Sequence, residues 1–95
     1  MSGKLTGKVV EIDETGNLIT DVPRDQLSGA PRDAALRIVV DEHETFGLYS
    51  ADHQQPPMTL IAILDEQGPL RIVLTEDSAS AMLGVRVGAA VEISW

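Results

Sequence analysis

Short segments in which apolar and polar residues alternate constrain the fold of this chain more than any other feature of its sequence. Successive side chains of a β-strand point to opposite faces, so a period of two predicts a strand with one buried face. In one such segment Leu36, Ile38 and Val40 are expected on one face of a strand, with Arg37 and Val39 on the other. Similar segments recur roughly every 8–12 residues with turn formers between them, which predicts an antiparallel, mostly β chain.

A first hairpin is predicted around residues 13–17 (Asp-Glu-Thr-Gly-Asn), which are dense in turn formers. The strand before this turn is expected to place Val10 and Ile12 on one face and Val9 on the other. The strand after it is expected to cover residues 18–22 and to end at the following proline, which cannot donate to a β-ladder.

The middle of the chain alternates between polar loops and strands. Residues 23–34 are predicted to form a loop with one helical turn at 24–27. After the strand that contains Ile38, residues 41–44 (Asp-Glu-His-Glu) are predicted to form a polar turn and residues 45–50 the returning strand. A second polar loop is expected at residues 51–57, which end in two prolines.

A second hairpin and a final strand are predicted in the last third of the chain. Residues 58–64 are the most continuously apolar segment, which is typical of a strand buried on both faces. Residues 65–68 (Asp-Glu-Gln-Gly) predict a tight turn, and alternation returns over 70–75. The last strand is expected at 90–95, with Val91, Ile93 and Trp95 pointing inward.

One short helix is predicted near residues 77–83. Either Thr75 or Asp77 is expected to cap it, and Gly84 stands where a helix commonly ends. Its apolar stripe is expected to consist of Ala79, Met82 and Leu83.

Together these elements predict a single domain over residues 1–95, a small antiparallel β-barrel of about six to seven strands with one short helix. The spacing is typical of a small barrel or a sandwich, and a barrel is favoured because closure removes exposed strand edges.

Charge and composition argue against several classes of function. The net charge is −8, from 15 acidic and 7 basic residues, which opposes the phosphate neutralisation that nucleic-acid binding requires. Aromatic residues make up 3% of the chain, too few for base stacking, and without cysteine there is no thiolate metal site. The longest apolar run, residues 60–64, is too short to cross a bilayer. We therefore expect a cytoplasmic protein with no nucleic-acid or membrane partner.

Residues 7–21 (GKVVEIDETGNLITD) carry the most specific motif. They resemble the pattern G-x-V-x-x-I-D-x-x-G-N-x-x-T-N, which opens the C-terminal domain of the family that includes S-adenosylmethionine hydroxide adenosyltransferase, fluorinase and chlorinase. The segments 68–73, 78–79, 83–84 and 87–93 are similar to that family's later motifs, in the same order and spacing. The resemblance covers nearly the whole chain and implies the family's β-barrel.

The resemblance also implies a ligand site. In this family S-adenosylmethionine lies between one subunit's N-terminal domain and a neighbour's barrel, and the barrel contacts match Asp13 and Asn17. Glu66 stands in the turn where the family has a hydroxyl against the substrate. Further departures are Thr15 for an aromatic residue, Asp21 and Thr75 for asparagines, and Arg71 for a glutamate. The substrate-binding candidates are therefore Asp13, Asn17 and Glu66, and no catalytic residue, metal ligand or cofactor is expected.

Each candidate also has a structural interpretation. The sequence D-x-x-G-N forms a good turn by itself, so Asp13 and Asn17 serve either turn geometry or a ligand. The acidic run at 41–44, with His43 and the nearby His53, imitates a metal site, but a solvated turn is favoured because consecutive residues point apart. Trp95 is expected in the core or at an interface with another chain.

The leading hypothesis is a stand-alone, non-catalytic binding or assembly module, because the barrel motif begins at residue 7 and the family's catalytic N-terminal domain is not in the sequence. Its partner is then another protein or a second copy of the chain. One alternative is half of a split S-adenosylmethionine hydrolase, completed by a separate N-terminal domain. Another is a sensor that binds adenosine or S-adenosylmethionine without chemistry.

Overall fold

The computed structural model describes residues 3–50, 54–64 and 69–95. Its strands, in chain order, are β1 (Lys4–Ile12), β2 (Leu18–Thr20), β3 (Arg37–Val40), β4 (His43–Phe46), β5 (Leu60–Ile63), β6 (Arg71–Leu74) and β7 (Ala90–Ser94). A 3₁₀ helix at Arg24–Leu27 follows β2, as the sequence predicts, and one α-helix, α1 (Ala79–Leu83), connects β6 to β7. Among the described residues, no helix has the length and apolar character needed to span a lipid bilayer.

The strands form one antiparallel sheet in the order β4-β3-β7-β1-β2-β6-β5. Its two outer strands approach each other across a seam, where the Thr45 hydroxyl donates to the Leu60 carbonyl at 2.7 Å. Beside it, the Tyr49 amide donates to the Ala62 carbonyl and the Tyr49 carbonyl accepts from the Leu64 amide, both at 2.9 Å. The prediction of a mostly β, antiparallel barrel of about six to seven strands with one short helix is confirmed, and the barrel is nearly closed.

The barrel interior is filled by the faces that the alternating pattern predicts. Fully buried residues from four strands meet there, among them Leu18, Ile38, Ile72, Val91 and Ile93. The prediction of a strand buried on both faces over residues 58–64 is confirmed in part: Ile61, Ala62 and Ile63 of β5 are buried, but the strand begins only at Leu60 and Met58 is 52% exposed.

The first strand differs from its prediction. The pairing of β1 with β2 shifts between Val9 and Glu11, which marks a β-bulge. A bulge adds one residue to one side of a ladder, so the inward alternation slips by one. Val9 is therefore fully buried whereas Val10 is 43% exposed, and the prediction that Val10 shares a face with Ile12 is wrong.

The hairpin between β3 and β4 is tighter than predicted. Val40 pairs directly with His43, so the turn contains two residues rather than the four at 41–44. Asp41 adopts a left-handed φ of 57°, which aspartate tolerates better than most residues. Strand β4 begins at His43, two residues before the predicted start, and ends at Phe46, four residues before the predicted end at Ser50.

The helix cap also differs from its prediction. Ser78 is the N-cap of α1, where its hydroxyl accepts a hydrogen bond from the Ala81 amide at 3.1 Å. Neither Thr75 nor Asp77 caps the helix. The C-terminal prediction is confirmed, since Gly84 is left-handed, but Met82 is 54% exposed and does not join the apolar stripe.

Candidate functional site

The turn between β1 and β2 is organised around the Asp13 carboxylate. Asp13 Oδ1 accepts hydrogen bonds from the Thr15 amide, the Thr15 hydroxyl and the Asn17 amide, each at 2.9 Å. Asp13 Oδ2 accepts from the Asn17 side-chain nitrogen at 3.0 Å. The structure therefore brings Asp13 and Asn17 together, and their side chains form a hydrogen bond with each other inside the turn.

These contacts favour the ionised carboxylate. Partial burial raises the pKa of Asp13, but the hydrogen bonds from Asn17 and Thr15 together outweigh it and lower the pKa below its ordinary value. Donors that point at a carboxylate stabilise its charged form. Asp13 is thus an anion at neutral pH, held in place by donors from its own turn.

Asn17 also faces an open groove of about 510 Å³, which we name the turn–helix groove. The groove separates the β1–β2 turn from the segment between β6 and α1, and it is lined by Thr15, Asn17, Val73, Leu74, Glu76, Asp77 and Ser78. Its volume falls within the range of about 300–1,000 Å³ that is usual for small-molecule sites.

The polar atoms around this groove are mainly acceptors. The Asn17 side-chain nitrogen donates to Asp13, as does the Thr15 hydroxyl. The Ser78 amide donates to Asp77 Oδ1 at 2.8 Å. No Lys or Arg is among its described lining residues, whereas Glu76 and Asp77 contribute carboxylates. The groove therefore suits a ligand that carries hydrogen-bond donors or positive charge.

Two of the substituted family positions have structural roles. Thr75 is buried, and its hydroxyl accepts from the Thr59 amide at 2.8 Å and donates to the Pro56 carbonyl. Asp21 Oδ1 accepts from the Lys8 amide at 2.8 Å, which ties β1 to the end of β2. Glu66, the third predicted substrate contact, lies outside the described residues, and that assignment remains a prediction.

The other cluster that the sequence singles out is dispersed. His43 lies on β4, where its ring Nε2 is 3.1 Å from the Leu83 carbonyl at the end of α1. Glu44 pairs instead with Arg37 on the neighbouring strand at 2.5 Å. Within residues 3–50, 54–64 and 69–95, no three His, Asp or Glu side chains group as metal ligands. His53 lies outside these ranges.

Sequence reasoning did not identify Val73, Glu76 or Ser78 as groove residues. Ser78 carries a signal in the sequence, because it belongs to the Ser-Ala pair that resembles the family's helix motif. A second groove, of about 570 Å³, was not predicted either. It lies at the other end of β2, lined by Thr20, Asp21, Pro23, Arg24, Asp25, Ser28 and Pro69.

Two solved structures resemble this fold closely. An uncharacterized conserved protein from Thermotoga maritima is 30% identical, with a TM-score of 0.75 over 95% of this chain and 35% of its own. A conserved hypothetical protein from Thermus thermophilus is 22% identical, with a TM-score of 0.72 over 93% of this chain and 34% of its own, and supports the fold alone. The chain thus spans about a third of the length of these two proteins.

No curated protein matches the chain. A family model does, and it is described as the SAM hydroxide adenosyltransferase C-terminal domain. The match covers residues 7–92, which include the β1–β2 turn, α1 and all or most of every strand of the barrel. Because the model matches nearly the whole chain, this protein belongs to the SAM hydroxide adenosyltransferase C-terminal domain family.

Proposed function

We propose that this chain is a non-catalytic binding module that holds S-adenosylmethionine, or its adenosine part, in the turn–helix groove. The observation that supports the proposal most directly is the hydrogen bonding and ionisation of the Asp13 carboxylate. The four hydrogen bonds that its carboxylate accepts all come from its own turn, and together they lower its pKa below the ordinary value for aspartate. A general acid or base works best with a pKa near the operating pH. Asp13 is suited instead to holding Asn17 at the edge of the groove.

Charge supports this class of ligand. S-adenosylmethionine carries a sulfonium and an ammonium group against a single carboxylate, so it is a net cation at neutral pH. Glu76 and Asp77 line the groove without a basic neighbour among its described lining residues. Opposite charges on protein and ligand favour both encounter and correct orientation.

The test is a titration of the ¹⁵N-labelled chain with S-adenosylmethionine, monitored by amide NMR, with chromatography of the same samples for free adenosine. We expect saturable shifts at Asn17, Val73 and Ser78 and no adenosine release. Unaided release of adenosine and methionine would show that the module is catalytic. Unchanged spectra at millimolar ligand would show that the groove is not the site.

A charge-removing variant sharpens this test. Glu76→Gln keeps the side-chain shape, and we expect it to weaken S-adenosylmethionine binding about two- to fivefold, as is usual for one exposed charge. Binding of S-adenosylhomocysteine, which lacks the sulfonium, should change less. Glu92→Gln on β7 is the matched control, because Glu92 is exposed but does not line the groove. Equal effects of the two variants would contradict a role for charge in the groove.

The second candidate is a half-site completed by another domain, because the chain spans about a third of the length of the solved structures it resembles. The experiment mixes the chain with the separately produced remainder of the Thermotoga maritima protein. Adenosine release that requires both parts would support the half-site. Binding by the chain alone, with no release from the mixture, would favour the module.

A further inference from the structure

We infer that Gly16 and Ser78 are positioning residues, whose direct contact sets the width of the turn–helix groove. The inference rests on the proposed function, because it assigns the geometry of that same site. Gly16 precedes Asn17 in the turn, and Ser78 is the N-cap of α1. The contact between Gly16 and Ser78 therefore fixes how far Asn17 stands from the start of the helix.

The contact leaves no room for a side chain on Gly16. A Cβ atom added there would lie 1.9 Å from Ser78 Oγ, 2.6 Å from Ser78 Cβ and 3.0 Å from Ser78 Cα. Rotation of the serine moves its Oγ, but its Cβ and Cα belong to the start of the helix. A side chain at residue 16 therefore pushes the N-terminus of α1 away from the turn.

A backbone hydrogen bond fastens the same two segments. The Ser80 amide donates to the Gly16 carbonyl at 2.9 Å. Ser80 lies in the first turn of α1, where amides have no partner within the helix. The β1–β2 turn thus supplies an acceptor for the helix, and displacement of α1 breaks this bond while it widens the groove.

Two substitutions separate this contact from ordinary backbone strain. Gly16 has a φ of 85°, so alanine is strained there for conformational reasons as well. Gly88 has a φ of 97° and open space around its added Cβ, so Gly88→Ala carries the strain without the collision. Ser78→Gly removes Oγ and Cβ, and glycine is itself a favoured N-cap residue, so the helix keeps an acceptable cap.

The experiment is a double-mutant cycle read out by S-adenosylmethionine affinity, with folding checked by the amide spectrum. We expect Gly16→Ala to weaken binding about tenfold in the native background and about twofold in the Ser78→Gly background, the difference being the coupling of the two residues. Gly88→Ala should stay within about twofold of wild type. Equal effects of Gly16→Ala in both backgrounds, or none in either, would overturn the inference while leaving the proposed function intact.

A measurement on the wild-type chain covers the case in which Gly16→Ala does not fold. Added S-adenosylmethionine should slow hydrogen exchange of the Ser80 amide, because the ligand holds the contact closed, and leave the Tyr49 amide at the barrel seam unchanged. Binding without protection of Ser80 would overturn the inference alone. Absence of binding by the wild-type chain would overturn the proposed function and this inference with it.

Discussion

At the scale of single residues, Asp13 organises the β1–β2 turn through charge. Its carboxylate accepts four hydrogen bonds from Thr15 and Asn17. A hydrogen bond to a charged group contributes more than one between neutral groups. The turn should therefore depend on the ionisation of this residue, and with it the placement of Asn17 beside the turn–helix groove.

Replacing Asp13 by asparagine should lower the free energy of unfolding by about 1 kcal/mol at pH 7, since one acceptor oxygen becomes a donor. The folded-state pKa of Asp13 is lowered, so its stabilising contribution is present above the unfolded pKa and is lost as pH falls through the folded value. The difference between wild type and Asp13→Asn should therefore shrink below about pH 4.

Urea denaturation of both proteins at pH 7 and pH 3 measures this effect. Glu14→Gln is the control, because Glu14 is the exposed neighbour in the same turn. A difference between wild type and Asp13→Asn that does not change with pH would refute the role of the charge.

Asp21 illustrates a different use of a carboxylate. The family has asparagine at this position, and the observed contact, acceptance from the Lys8 amide, is one that an amide oxygen can also make. We expect Asp21→Asn to change the free energy of unfolding by less than about 0.5 kcal/mol, and Asp21→Ala to lower it by about 1 kcal/mol. Thermal denaturation of the three proteins is the measurement. A loss for asparagine as large as that for alanine would mean that charge, not hydrogen bonding, matters here.

At the scale of elements, the barrel seam is the least regular junction. Strands β4 and β5 do not form a ladder with each other; the Thr45 hydroxyl and the backbone of Tyr49 bridge them instead. Short, irregular junctions at a sheet edge are expected to open more readily than continuous ladders. The seam and the groove lie on different strands of the barrel. We therefore expect a substitution at the seam to leave ligand binding in the groove unchanged.

Thr45→Val removes the bridging hydroxyl and nearly preserves side-chain shape. We expect it to lower the free energy of unfolding by about 1 kcal/mol and to speed amide exchange in β4 and β5. Native-state hydrogen exchange is the measurement, with Thr6→Val on the exposed face of β1 as the matched control. Unchanged exchange at the seam would indicate that packing and the backbone hydrogen bonds of Tyr49, rather than the Thr45 hydroxyl, join the two strands.

At the scale of the whole molecule, buried apolar residues from strands throughout the barrel and from α1 form one cluster. A domain of this size has a total stability of only about 5–15 kcal/mol. Loss of one central side chain should therefore lower the free energy of unfolding of the whole barrel, and not only of the strand that carries it.

Ile38→Ala, at a fully buried position, should lower the free energy of unfolding by about 2–5 kcal/mol through lost burial and the cavity left behind. Val87→Ala, at a position that is 58% exposed, should change it by less than about 0.5 kcal/mol. Urea denaturation followed by circular dichroism and by the fluorescence of the single tryptophan, Trp95, should give coincident transitions. Separate transitions would show that parts of the barrel unfold independently.

The sequence by itself determined the fold class, most of the strand faces and the family. A strand that buries one face has apolar residues at every second position, as at Ile38 and Val40. This pattern can be recognised from the residues of that strand alone. The turn at 13–17 and the C-terminal motifs are also short segments that can be recognised without tertiary contacts.

Only the tertiary structure decided how these local signals combine. The bulge that exposes Val10 depends on the pairing between β1 and β2. The alternation of residues within β1 does not show that this pairing shifts by one residue. The groove depends on the pairing of Leu18 with Ile72, which brings Asn17 near Glu76 and Ser78 across more than half of the chain. Strand pairing at such separation follows from the closure of the whole barrel around its core, whereas periodicity describes each strand alone.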